Sequence, residues 1–185
     1  QPFDVIYDLN NPLEIIGPTL NAGDFVIDAN NAVRPFGVGF GGSVAGSLKL
    51  ANLTVRGGNG RSNGASGFGV NGEGGAIYLG AVNTGGPITG SQLTLDNVVL
   101  RNNQVSDTGR GGAIFGTAPT ITNNGGAYIS NRANGSGSVG RGGAIFVEEG
   151  PATINGYAVL FEGNSANFAG GVIASNAANS NPMLH

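Results

Sequence analysis

The sole histidine, His185, is the last residue, and with no strand after it to position it, it is read neither as a general base nor as a metal ligand. The chain has no cysteine, which removes disulfides and thiolate zinc sites. Carboxylates and arginines remain. Glycosidases need two carboxylates facing across a cleft, and lyases of acidic polysaccharides cluster aspartates around calcium beside a basic residue. Asp24 and Asp28 flank one short apolar run and are expected at its opposite ends. Asp4 and Asp8 share a face only if one strand runs through both. Glu148-Glu149 adjoin Gly150-Pro151 and read as a solvated turn. No catalytic pair, metal site or cofactor site emerges from these positions.

The long loop from Gly57 to Glu73 contains Gly-Asn-Gly-Arg but lacks the Lys-Ser or Lys-Thr ending of a phosphate-binding loop. Arg110 and Arg141 each precede a glycine pair, and Glu73 holds that position one unit earlier. A Glu73 to Arg110 contact is therefore expected, as an exposed pair worth about 0–1 kcal/mol. Thr54, Thr94, Thr122 and Thr153 suggest an outward column, the raw material of an ice-binding face. The regular Thr-x-Thr array such a lattice wants is missing.

These residues need elements to hold them, and composition restricts which. Glycine supplies 36 of 185 residues and charged residues only 10%, a mixture that disfavours helix. Glycine does not fall on every third position, which excludes a collagen-like triple helix. Apolar runs such as Phe25-Val26-Ile27 and Leu93-Thr94-Leu95 interrupt the glycine and must be buried, which argues against disorder.

Internal similarity decides the class. Gly74-Gly75-Ala76-Ile77-Tyr78 returns as Gly111-Gly112-Ala113-Ile114-Phe115, as Gly142-Gly143-Ala144-Ile145-Phe146, and more loosely as Gly170-Gly171-Val172-Ile173. The copies start 37, 31 and 28 residues apart, so the strands are kept while the loops vary in length. A second pattern follows each pentamer: Leu93-Thr94-Leu95 then Val98-Val99-Leu100, Ile121 then Tyr128-Ile129, and Ile154 then Val159-Leu160-Phe161. Leu48-Lys49-Leu50 with Leu53-Thr54-Val55-Arg56 has the same form, and Phe36 to Phe40 stands where the glycine-glycine strand would be. Earlier still, Phe3 to Tyr7, Leu13 to Ile16 and Phe25 to Asp28 provide three more strands.

The expectation is an all-β fold: a right-handed single-stranded parallel β-helix of about five turns, each of three short strands, with Gly/Asn-rich loops. One domain is expected to span 1–185, with degenerate first turns over 1–73, clearer repeats at 74–110, 111–141 and 142–169, and a partial one at 170–185. Equivalent strands would pair one above another at roughly 4.8 Å, stacking identical residues in columns. The glycine pairs read as corners, and Ile77, Ile114, Ile145 and Ile173 as a core column. Asn103, Asn131 and Asn164 each lie three residues past the last strand. They are expected to stack in a turn, where asparagine tolerates left-handed geometry and its amides hydrogen-bond up the column.

The glycine-glycine-alanine-isoleucine motifs, together with Phe161-Glu162-Gly163-Asn164, resemble the repeats of polymorphic outer-membrane proteins and related autotransporter passengers, over about residues 36 to 175. Leu100 and Tyr128 stand where the other second motifs would begin with phenylalanine. The resemblance implies a β-helix displayed outside a bacterial cell and used in adhesion.

A net charge of −3 with scattered cations argues against nucleic acid, and no apolar stretch of about 18 residues argues for a membrane span. The first functional expectation is a non-catalytic structural or adhesive module, extracellular or on the cell surface, whose partner is a protein or glycan surface. The next is a subunit that self-associates end to end into a filament. A carbohydrate-active enzyme and an ice-binding face follow.

Overall fold

A computed structural model of the chain describes residues 12–39, 45–60, 72–82, 88–106, 109–136, 139–150, 152–176 and 183–184, the last two by backbone alone. The strand expected over Phe3 to Tyr7, the Asp4 and Asp8 carboxylates, Phe40, most of the loop between Gly57 and Glu73, and His185 lie outside the described residues.

The described regular structure is entirely β-strand; the glycine content disfavours helix, and the β-branched and aromatic residues between the glycines suit strands. The largest sheet runs β1 (Leu13–Ile16), β4 (Ser47–Arg56), β8 (Gln92–Arg101), β11 (Thr120–Ile129), β14 (Thr153–Tyr157) and β18 (Met183–Leu184). Beside this path β2 (Val26–Asp28) pairs with β4, and β15 (Leu160–Glu162) with β11. A second sheet holds β3 (Phe36–Val38), β5 (Ile77–Leu79), β10 (Ile114–Gly116), β13 (Ile145–Val147) and β17 (Ile173–Ser175). The third is small: β9 (Gln104–Val105), β12 (Arg132–Ala133) and β16 (Ser165–Ala166). Pairing within these three sheets is parallel throughout. A short antiparallel pair, β6 (Ala81–Val82) with β7 (Thr89–Gly90), stands apart from the stacks.

From β8 onward the chain visits the largest, third and second sheets in one unvarying order, as β8, β9, β10, then β11, β12, β13, then β14 with β15, β16 and β17. Registers match like with like. Phe36, Ile77, Ile114, Ile145 and Ile173 form one column, and Leu13, Leu48, Leu93, Ile121 and Ile154 another. Both columns join one apolar core, completed by such residues as Leu53, Val98 and Leu100. Each buried isoleucine or leucine contributes about 1.5–3 kcal/mol relative to exposure.

The two apolar runs read separately at Leu93-Thr94-Leu95 and Val98-Val99-Leu100 belong to the single strand β8. Between them Asn97 takes a left-handed φ of 52°, as Asn52 does at 53° in β4, which bends both strands and resets the in-out alternation so that both halves face the core. The Asn97 amide donates to Asn52 Oδ1 at 3.1 Å, tying one bend to the next.

In each glycine pair the two residues answer different demands. Gly111 has a φ of +71°, a conformation costly for any side chain. Gly112 lies in ordinary φ space, but a Cβ there would come 2.1 Å from the Gly143 carbonyl oxygen, so close stacking is what excludes a side chain.

Burial of Ile114 at the centre of its column makes it a sharp test. Ile114→Asp should lose more than about 3 kcal/mol, through an unpaired buried charge, whereas Ile114→Val should lose about 0.5–1.5 kcal/mol. Urea unfolding followed by circular dichroism measures both, and an unchanged midpoint for the aspartate variant would contradict the inward placement.

Candidate functional site

On strands β5, β10 and β13 the residue between the two core-facing positions points away from the core. Tyr78, Phe115 and Phe146 occupy that place in register, and their rings stack with centroids 5.5 and 5.8 Å apart. Arginines roof this aromatic stripe. The Arg110 guanidinium lies 5.9 Å from the Phe115 ring centroid and 5.3 Å from that of Phe146, and Arg34 lies 5.1 Å from that of Tyr78. Phe115 and Phe146 are buried beneath this cover.

Two carboxylates meet over the stripe. Arg110 Nη2 is 3.4 Å from Glu73 Oε1, while Arg110 Nη1 donates to Glu148 Oε1. The expected Glu73 to Arg110 contact therefore exists, but not at an exposed corner: the Glu73 side chain is only 5% exposed. Its Oε2 is buried without a hydrogen-bond partner. Burial pushes the Glu73 carboxyl up to about 7, outweighing the opposing pull of Arg110, and Glu148 adds to the rise. Burial, with Glu73 second, also pushes the Tyr78 hydroxyl up to about 12. Glu148 is likewise not the solvated turn residue expected; it is half-buried and ion-paired, while Glu149 is exposed.

Chemically, the cluster offers a carboxyl able to exchange a proton near neutrality, beside a guanidinium already held by Glu148. An anionic ligand reaches Arg110 only by displacing that carboxylate. The charges of the cluster are held by one another, as in a structural brace, with Glu73 Oε2 and Arg110 Nε left buried without a hydrogen-bond partner.

The asparagines stack in a hydrogen-bonded column. Asn103 Nδ2 donates to Asn131 Oδ1 at 3.0 Å, and Asn131 Nδ2 to Asn164 Oδ1 at 2.9 Å. Each amide also reaches backbone: Asn131 Nδ2 donates to the Leu100 carbonyl at 2.9 Å and Asn164 Nδ2 to that of Tyr128 at 2.8 Å. Asn131 Oδ1 additionally accepts the Asn103 backbone N–H, and Asn103 Oδ1 that of Gly58. The left-handed positions are not the asparagines of this column but the residues before them, Asn102, Ser130 and Gly163, with φ of 53°, 53° and 62°. The column selects asparagine for its donors and acceptor, not for its backbone tolerance.

Other expected constellations separate. Asp24 accepts from Thr19 Oγ1 and Asn21 Nδ2, while Asp28 pairs with Arg56 at 2.7 Å, so the two do not converge on a cation. A hydrogen bond from the Asn30 backbone, then Arg56, holds the Asp28 carboxyl below its ordinary value. The four threonines do not form one column. Thr94 faces Thr122, but Thr153 faces Thr120, and Thr54 faces Val99 with its hydroxyl bonded to the Ala22 carbonyl.

One buried polar pair escaped the sequence reading. Tyr128 replaces Leu100 in its column, and Asn123 replaces Leu95 in the neighbouring one; the tyrosine hydroxyl donates to Asn123 Oδ1 at 2.6 Å. A polar residue in an apolar column, paired with a hydroxyl where an aliphatic group stood, was the available signal. Glu148 had none, because Arg110 is 38 residues away and only the packing of their loops unites them.

Comparison with protein-family models, with curated proteins and with solved structures found no match.

Glu73 sets a pH dependence of stability. Below pH 4.5 the carboxyl is protonated whether the chain is folded or not. Between 4.5 and about 7 the folded chain keeps a proton that the unfolded chain has lost, so stability falls as pH rises through this window. Glu73→Gln should flatten that fall in melting temperature, and a variant that tracks the parent at every pH would refute it. Asn131→Ala, which strips several bonds from a buried column, should cost about 1–3 kcal/mol in urea unfolding. A loss near zero would show the column to be ornamental.

Proposed function

We propose that the chain is a stretch of right-handed parallel β-helix whose repeats resemble those of polymorphic outer-membrane proteins and autotransporter passengers, and that it serves as a non-catalytic structural and adhesive module outside a bacterial cell. The observation that carries this reading is the recurrence of the three sheets in one order along the chain, with Ile77, Ile114 and Ile145 paired in register. A coil advancing by one strand spacing per circuit accounts for both.

The non-catalytic part rests on the state of the charged groups. Arg110 is engaged by Glu73 and Glu148, Arg56 by Asp28, and Lys49 lies 3.8 Å from both Glu14 and Asp96. The best-defined charges thus brace neighbouring strands. An adhesive role asks only for a rigid surface of repeated spacing, which such bracing provides.

End-to-end assembly is the second reading, favoured by exposed apolar groups towards the two ends of the largest sheet: Ile16 and Val26 on β1 and β2, Tyr157 and Leu160 on β14 and β15. Leu184 already pairs above Ile154, the column place that Leu13 of a second copy would need. Adhesion therefore ranks first.

Saturable attachment of the purified, fluorescently labelled chain to cultured cells or immobilised glycans is the expected result. Release of reducing ends or unsaturated products from acidic glycans would replace this reading with an enzymatic one. Fibres that lengthen with concentration, seen without cell attachment, would favour assembly.

A further inference from the structure

Exposed apolar side chains gather on one short stretch of the chain. Ile16, Leu20, Phe25 and Val26 all remain exposed, and Leu20, at 85%, is the most exposed large apolar side chain among the described residues. Alternation puts the strand members on the outer wall: Leu13, Ile15 and Ile27 pack against the core, so Ile16 on β1 and Val26 on β2 face away from it. Glu14 and Asp28 share that outward face with them.

The loop joining β1 to β2 is pinned along its length. Gly17 N donates to the Ala51 carbonyl at 2.8 Å, the Leu20 carbonyl accepts from Asn97 Nδ2 at 2.7 Å, the Ala22 carbonyl from Thr54 Oγ1 at 2.8 Å, and the Phe25 carbonyl from Thr54 N at 2.9 Å. Within the loop Asp24 accepts from Thr19 Oγ1 at 2.7 Å and Asn21 Nδ2 at 2.8 Å, and Asn21 Oδ1 accepts the Gly23 N–H at 3.0 Å. Its two ends meet, since a Cβ on Gly17 would lie 3.4 Å from that of Phe25. Leu20 thus stands in water on a main chain that is already fixed, and covering it orders little further backbone. Around the loop Glu14, Asp24, Asp28 and Asp96 outnumber Lys49, Arg56 and Arg101, and Asp24 is the carboxylate with no ion pair among the described residues.

We propose that this loop, with Leu20 as its anchor and Ile16, Phe25 and Val26 at its two ends, docks a protein that offers an apolar hollow edged by a cation for Asp24. A cluster of exposed apolar groups on a rigid loop marks a contact surface, and the charge beside it sets the sign of the partner. Aliphatic side chains offer nothing to sugar hydroxyls, which disfavours a glycan. The unpaired carboxylate opposes an anionic lipid surface or nucleic acid.

The assignment deepens the adhesive reading, on which it rests, by choosing a protein partner. Isothermal titration of the full chain with a helical peptide carrying leucines on one face and lysines on the other tests it. The comparisons are the same peptide with glutamates for the lysines, the same with serines for the leucines, and vesicles of phosphatidylglycerol and phosphatidylcholine in equal parts. The leucine-lysine peptide should bind most tightly and lose affinity with added salt. Leu20→Ser should weaken it at least about tenfold, Leu20→Met should retain most of the affinity, and Leu160→Ser, removing an exposed apolar group elsewhere, should change it less than about twofold. Because Leu20 is exposed, the melting temperature of its variants should match the parent. Absence of peptide binding, equal losses from Leu20→Ser and Leu160→Ser, or tighter binding of the glutamate peptide or the vesicles would overturn the surface. Cell attachment that survives Leu20→Ser would overturn it while leaving the adhesive reading standing. Peptide binding that depends on Leu20 without any cell attachment by the parent would keep the surface and overturn the adhesive reading.

Discussion

Parallel strands that pair in register impose one constraint from which most of this structure follows: whatever stands at a position must tolerate its counterpart one strand spacing away. Backbone N–H and C=O groups are satisfied by the strands on either side, so the side chains are left to decide which sequences are compatible. Isoleucine upon isoleucine, ring upon ring and amide upon amide are stable stacks. A second glycine is compulsory at Gly75, Gly112 and Gly143 because the column brings the neighbouring carbonyl within 2.1 or 2.2 Å of where a Cβ would sit, whereas at Gly171 in the last pair the nearest atom is 3.3 Å away.

Stacking also sorts the polar groups into satisfied and costly. In the Asn103, Asn131 and Asn164 column every amide finds both a side-chain and a backbone partner, so burial costs little and register is enforced. The Tyr128 and Asn123 pair does the same within one strand. Glu73 is the opposite case. Its burial favours the neutral form by more than Arg110 favours the charged one, so the fold is more stable in mild acid than in alkali even though the ion pair itself needs the carboxylate. Asp28 meets a different fate, since it stays exposed to water and is held ionised by the Asn30 backbone and Arg56.

Much of the architecture was legible before any coordinates. A recurring motif whose strands are kept while its loops vary identifies which residues must be equivalent, and Ile77, Ile114, Ile145 and Ile173 are paired as their motifs implied. The asparagine column was legible from a constant offset. The joining of two runs into β8 was not, since nothing local separates a bend from a break until Asn97 is seen in left-handed geometry. The threonine column failed because its members were matched by residue type without a motif to fix register, and a slip of one or two positions changes every neighbour.

The amino-acid sequence alone thus determined an all-β chain and the equivalence of its strands, because repetition and alternation are one-dimensional properties. Burial of Glu73 and capture of Arg110 by Glu148 were decided only in three dimensions. Each depends on how far a side chain lies from groups dozens of residues away, and on how much water remains between them.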